Sequence, residues 1–240
     1  MTIGSESSQA GTGGSGEPAR TQQLIEVSVF LFLIVPSLAL SLFVVKQGGL
    51  SFVLVAFSTI LRDLALVSLI LFFLWRNGEP VDRIGWTFQN GWRNVALGIL
   101  LFIPLFFGAG LLETAFRAAG LTAPSTPLPS FLAARGYAEL LLAFVLVVVV
   151  AVAEETIFRG YLMLRFKGIT GSVLAAILLS AAIFSLGHGY EGSAGLATVG
   201  VMGAVFALVY VWRKSLVTPI VMHFLQDFIG IVLLPLLGAT

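Results

Sequence analysis

The chain has 240 residues, 58% hydrophobic and 10% charged, with a formal net charge of +1 and a mean hydropathy of +1.02. Soluble domains carry roughly a quarter charged residues, whereas the apolar residues here fall in runs of about twenty, long enough for helices to cross a ~30 Å hydrocarbon core. A soluble domain is therefore excluded. So are a β-barrel, whose strands alternate apolar and polar residues, a nucleic-acid surface, which needs basic runs, and any thiol or disulfide chemistry, because there is no cysteine.

Residues 1–22 are rich in Gly and Ser and nearly without large apolar side chains. Such a segment does not offset its ordering entropy and is expected to be a disordered tail. It lacks the basic start and apolar core of a signal peptide, so no cleavage is expected. The remaining 23–240 read as one transmembrane domain without internal repeats. The fold class is all-α, a polytopic helical membrane bundle of seven to eight transmembrane helices. Spans are expected at 23–45, 51–74, 94–116, 137–164, 171–188, 194–212 and 216–237. The last is broken near Gly230 and Pro235, which leaves eight as the alternative count.

The polar segment between the second and third spans carries Trp75, Trp86 and Trp92, suited to the membrane interface. The loop from 118 to 136 holds Pro124, Pro127 and Pro129 and is expected to be extended. The end that holds the N-terminus collects Arg20, Arg76, Arg83, Arg93, Arg159, Arg165, Lys167, Arg213 and Lys214. The opposite end has Lys46, Arg117 and Arg135. That is nine positive charges against three, which predicts a cytoplasmic N-terminus.

Ionisable groups at membrane depth cost several kcal/mol or so unless paired, hydrated or in use. Three clusters in the second half of the chain are of this kind. In the fourth span, Glu155 and Arg159 are four apart and form a pair on one face. Glu154 lies about 100° round the helix and is free to point into a cavity. His188, between Gly187 and Gly189, ends the fifth span. His223 and Asp227 are four apart on the last span, a spacing that can orient an imidazole, bind a metal or make a neutral core hydrogen bond. Arg62 and Asp63 are adjacent in the second span, point in different directions and are expected to join other helices in a structural network. Glu26 is expected at the interface, Glu113 and Glu139 at helix ends, and Glu191 in a loop. There is no His-Glu-x-x-His helix, no Gly-x-Ser-x-Gly elbow and no Walker loop.

In order, Glu154-Glu155-x-x-x-Arg159, Phe184-x-x-x-His188 and His223-x-x-x-Asp227 resemble the CPBP family, also called the CAAX protease and bacteriocin-processing (Abi) family. The motifs lie within 154–227 and the resemblance covers about 80–235. It implies an intramembrane endopeptidase acting on a peptide or protein substrate, lipidated or membrane-embedded, among membrane lipids. Glu154 would be the general base on water, helped by His188. His223 and residue 227 would stabilise the oxyanion, and Glu155 and Arg159 would support the site. A carboxylate in a low-dielectric cavity has its pKa raised toward neutrality, which suits a base.

The chain departs from the eukaryotic members where they often carry Asn, since Asp227 stands there. An ionised Asp donates no hydrogen bond. Asp227 is thus protonated, or orients His223, or ligates a metal. Glu154, His188 and His223, with or without Asp227, make a two-histidine carboxylate set for a divalent ion such as zinc, and the family is described both as metal-dependent and as glutamate-dependent. A non-catalytic membrane scaffold or immunity-type protein and a small proton-coupled transporter are the alternatives, the latter disfavoured by the lack of repeats. Helix rise puts Glu154 and His223 roughly 13–16 Å from one end and His188 about 25 Å from it. Unequal helix starts, tilt or an in-plane segment at 161–168 is needed to bring them together.

Overall fold

A computed structural model describes residues 18–44, 51–123 and 132–237. The tail at 1–17, Lys46 and the proline loop at 124–131 lie outside the described residues, and with them the expectations placed there. Every regular element among the described residues is helical. The long apolar runs become α1 (Arg20–Val44), α2 (Phe52–Arg76), α3 (Gly91–Ala118), α4 (Gly136–Thr170), α5 (Val173–Leu186), α6 (Gly192–Arg213) and α7 (Val217–Leu236). Serine caps open two of them. Ser51 Oγ accepts from Leu54 N at 3.3 Å, and Ser172 Oγ accepts from Ala175 N at 3.2 Å.

Five helices among the described residues are long and apolar enough to cross a membrane: α2, α3, α4, α7, and α6 with the short turn before it. Seven helices are present among the described residues, and the expected count of seven to eight crossings is not confirmed. The clearest difference is α5, which has 14 residues and a length of about 21 Å, short of a ~30 Å core. The reason lies in the sequence Gly187-His188-Gly189, where the helix stops and a 3₁₀ turn, Gly189–Glu191, leads into α6.

The second difference is in α4. Its middle, Glu155–Leu162, is π-helical and wholly buried. Beyond it the chain continues as α-helix from Met163 to Thr170. A π-helical stretch is usually a single turn and is held by its surroundings. Here Ser180 Oγ donates to the Phe158 carbonyl at 2.7 Å, and Trp86 Nε1 donates to Thr156 Oγ1 at 3.1 Å. Trp75 and Trp92 are exposed as expected, but Trp86 is half-buried by this contact.

Two packing layers fix the register of α2 on α4. Phe52 and Ala56 meet Ala143, Leu146 and Val147, together with Val232 of α7. Leu66, Ile70, Phe73 and Leu74 pack with Ile157, Phe158, Tyr161 and Leu162, joined by Val27, Phe30 and Ile34 of α1. The order is the same along both helices, so they run parallel, and the level between the layers holds Asp63 on α2 and Glu154 on α4. A third layer joins Phe102 of α3 to Met202, Phe206 and Val209 of α6 and to Met222 of α7.

The end where α1 begins and α2 and α4 finish is tied by buried charge. Arg165 donates to Glu26 at 3.0 Å and to both oxygens of Glu79, while Arg76, Asn77 and Tyr161 also donate to Glu26. Glu26 is 1% exposed, buried within this network at the end of the bundle. Arg159 and Arg165 are likewise buried. Gly85 sits beside this end at φ +85°, where an added Cβ would lie 2.5 Å from the Tyr210 ring, and its carbonyl accepts from Leu216 N at 3.0 Å.

Candidate active site

His223 is the centre of the polar cluster. Its Nδ1 lies 2.8 Å from Glu155 Oε1, and its Nε2 lies 3.8 Å from Glu154 Oε2 and 3.4 Å from Asp227 Oδ2. Adjacent glutamates on α4 thus straddle one imidazole ring. Glu155 Oε1 also accepts from Arg159 Nη1 at 2.8 Å, so the expected ion pair is present. With Nδ1–H given to Glu155, the ring is oriented and Nε2 is left for Glu154 and Asp227.

Aromatic rings wall this cluster. The Arg159 guanidinium lies over Phe184 at 4.2 Å and over Phe206 at 5.1 Å, a cation–π arrangement that replaces part of its hydration. His223 stacks on Phe206 at 5.8 Å and meets the edge of Phe184 at 5.9 Å. Arg159 Nη2 donates to the Gly203 carbonyl at 3.3 Å. Gly203 permits that approach: a Cβ there would lie 3.1 Å from Phe184 and 3.3 Å from Arg159 Nη2. Neither Gly203 nor Phe206 was singled out by sequence, because small and aromatic residues are common throughout these helices.

His188 stands one step removed. Its Nδ1 lies 3.3 Å from the Phe184 carbonyl, and its ring packs on Phe184 at 4.9 Å. Phe184 therefore touches both histidines. His188, His223, Gln226 and Asp227 wall one cavity of about 790 Å³, bounded on its apolar side by α3 and α6. Glu154 is not a wall of this cavity. Its side chain is 15% exposed and its Oε2 is buried without a hydrogen-bond partner.

Arg62 and Asp63 depart from expectation. They pair with each other at 2.8 Å, the long arginine side chain folding back on its neighbour. Asp63 is 1% exposed, one of its oxygens has no hydrogen-bond partner, and the charges of Glu154 and His223 act on it. It belongs to the same polar layer. The only hint in the sequence was the cost of two charges inside an apolar run.

The donors considered for a metal do not converge. Among the described residues no three His, Asp or Glu side chains lie in an arrangement that could hold an ion, and His223 Nδ1 is already engaged by Glu155.

Residues 136–229 match the family model of type II CAAX prenyl endopeptidases, Rce1-like. All seven motif residues lie inside that segment, and Asp63 lies outside it. No curated protein and no solved structure matches the chain.

Proposed function

We propose, for a chain whose residues 136–229 carry a CAAX-endopeptidase domain in keeping with the CPBP family, that it hydrolyses a peptide bond inside the membrane with water activated by Glu154. The observation that carries this reading is the buried, unpartnered Glu154 Oε2 beside the Nε2 of His223, a residue that with His188 lines the cavity. Desolvation disfavours the charged carboxylate, which makes it a stronger base toward a water molecule brought to it. His188 orients the water or the scissile carbonyl. Glu155 and Arg159 hold the His223 ring, and Asp227 orients it from its other nitrogen.

The substrate is a membrane-embedded or lipidated protein chain. The family description names prenylated CAAX proteins, and the apolar α3 and α6 walls of the cavity suit a lipid-bearing segment. The protease core spans about 80–235. The N-terminus is cytoplasmic: with buried Arg159 and Arg165 set aside, Arg20, Arg76, Arg83, Arg93, Lys167, Arg213 and Lys214 still mark that end as the basic one.

The test is cleavage of an internally quenched, farnesylated CAAX peptide in liposomes by the wild type and by Glu154→Ala, His188→Ala and His223→Ala. Cleavage by the wild type alone supports the reading. Undiminished cleavage by Glu154→Ala overturns it in favour of another base, and no cleavage by any form favours a binding role.

A further inference from the structure

The two ends of the bundle differ in how they are closed. At the basic end, where α3 and α7 begin and α6 finishes, polar contacts join the connections to one another. Asn94 Oδ1 accepts from Arg213 Nη2 at 2.9 Å, and the Asn94 carbonyl accepts from Thr218 Oγ1 at 3.2 Å. Ser215 Oγ donates to the Thr87 carbonyl at 3.2 Å. One turn further in, α3 and α7 touch closely: a Cβ on Gly98 would lie 2.7 Å from Val221 Cβ. Gly160 of α4 meets the 81–84 turn in the same way, with an added Cβ 2.9 Å from the Ile84 carbonyl.

The cavity lies on the other side of this seal. On α3 its walls come from 106–117, the later half of the helix. On α6 they come from 195–206, the earlier half, and on α7 from 223–234, the later half. All three stretches point to the end opposite the basic one. Burial falls in the same direction. The inner walls Phe184, Met202, Phe206 and His223 are buried, His223 at 4% exposure, whereas Leu111, Thr114, Arg117 and Leu234 are exposed, Leu111 at 73%. The Glu113–Arg117 ion pair stands at this outer rim, and charge is costly at membrane depth, so the rim marks the membrane surface. Thr122, just beyond α3, clasps the start of α6 there: its N–H donates to Ser193 Oγ at 2.9 Å and its carbonyl accepts from Ala194 N at 2.8 Å.

We infer that substrate enters from the end of the bundle opposite the basic one, and that it is a membrane-anchored protein whose cleaved stretch is exposed on the non-cytoplasmic side. The inference rests on the protease reading and the cytoplasmic N-terminus given above. From Phe106 to Arg117 the wall rises roughly 16 Å, the span of about five extended residues. The entering stretch is therefore unfolded, since a folded domain is wider than the gap between neighbouring helices. Its inner end arrives at His223, whose Nε2 is 3.8 Å from Glu154 Oε2. A chain anchored in the cytoplasmic leaflet would meet the sealed end.

The experiment uses the full chain, which has no cysteine of its own, with one introduced at either end. Thr114→Cys and Leu234→Cys lie at the mouth, on different helices, and Lys167→Cys lies exposed at the basic end of α4. In intact cells a membrane-impermeant maleimide should label the two mouth variants, and Lys167→Cys only after permeabilisation. In proteoliposomes given the farnesylated quenched peptide from outside, a bulky impermeant maleimide should lower cleavage by each mouth variant about tenfold relative to the same variant unlabelled. Cleavage by Lys167→Cys should change less than about twofold. Labelling of Lys167→Cys in intact cells with the mouth variants protected overturns the inference. So does inhibition through Lys167→Cys, or cleavage undiminished by labelling of both mouth variants. Wild type and Glu154→Ala run in the same assay. If the wild type cleaves and Glu154→Ala does not, the protease reading stands whatever the cysteine variants show, and they alone decide the route of entry. If the wild type is inactive, or Glu154→Ala is active, the protease reading fails and the inference falls with it.

Discussion

Two neighbouring glutamates have different work because of what lies within 4 Å of each. Glu155 is fully buried and holds both Arg159 and His223 through one oxygen. Removing it leaves Arg159 as an uncompensated buried cation, a change that typically costs about 3–5 kcal/mol. Glu155→Ala is therefore expected to lower the thermal unfolding midpoint in detergent as well as activity. Glu154→Ala removes no such partner and should abolish cleavage with the midpoint nearly unchanged. A pair of melts run beside the peptide assay separates the two. Gly203→Ala tests the close approach on the other side of Arg159. Its Cβ would press on Phe184 and the guanidinium, and overpacking of this kind costs roughly 1–3 kcal/mol. Activity should fall because His223 rests on the same rings, and the kcat of the variant measures this. The i, i+4 pairs at 155/159 and 223/227 were legible in the sequence, because helical spacing alone brings such residues together. That both glutamates meet one histidine was not, since it depends on how α7 lies against α4.

Among the elements, α4 carries Glu154, Glu155 and Arg159 and is interrupted by a π-helical stretch. Its eight π-helical residues read in sequence as ordinary helix, because Glu-Thr-Ile-Phe-Arg-Gly-Tyr-Leu has no local signature of a wider turn. Contacts from other elements hold it, above all Ser180 on the Phe158 carbonyl and Trp86 on Thr156. Ser180→Ala leaves a buried carbonyl without that donor, which costs about 1–3 kcal/mol. The expected result is a lower unfolding midpoint together with reduced cleavage, because the wide turn follows Glu154 directly. An unchanged midpoint and full activity would show that the π-helical stretch keeps its shape without Ser180. The short α5 is a different case. Its end was written in Gly187 and Gly189, yet an apolar run of eighteen residues invited a full crossing. The register of α2 on α4 lay beyond the sequence altogether, and it is what turns Asp63 from an isolated charge into part of the polar layer.

At the scale of the whole molecule, buried charge among the described residues gathers in two places: the polar layer around His223 and the network at the basic end. In that network burial works against ionisation of Glu79, but the hydrogen bonds and charge of Arg165, with Asn77 and Arg83, outweigh it and hold the carboxyl below its ordinary value of 4.5. A carboxyl depressed in the folded state contributes stability that is complete above the unfolded value and is lost as pH falls through the lower folded value. Unfolding midpoints in detergent should therefore decline as pH drops below about 4.5, and Glu79→Gln should be less stable at pH 7 with a shallower acid decline. An equal acid slope in both proteins would show that other carboxyls govern it.

Composition and run length were enough to establish a helical membrane protein, because hydrophobic transfer acts on each segment locally and needs no knowledge of its neighbours. Ordered motifs pointed to a carboxylate–histidine site for the same reason: i, i+4 spacing is a property of one helix. Only the tertiary structure decided which nitrogen of His223 faces which carboxylate, that α5 stops short, that Glu26 and Arg165 are buried in one network, and that Gln226 shares the cavity wall. Those outcomes depend on the crossing and register of separate helices, set by side-chain packing between residues far apart in the chain.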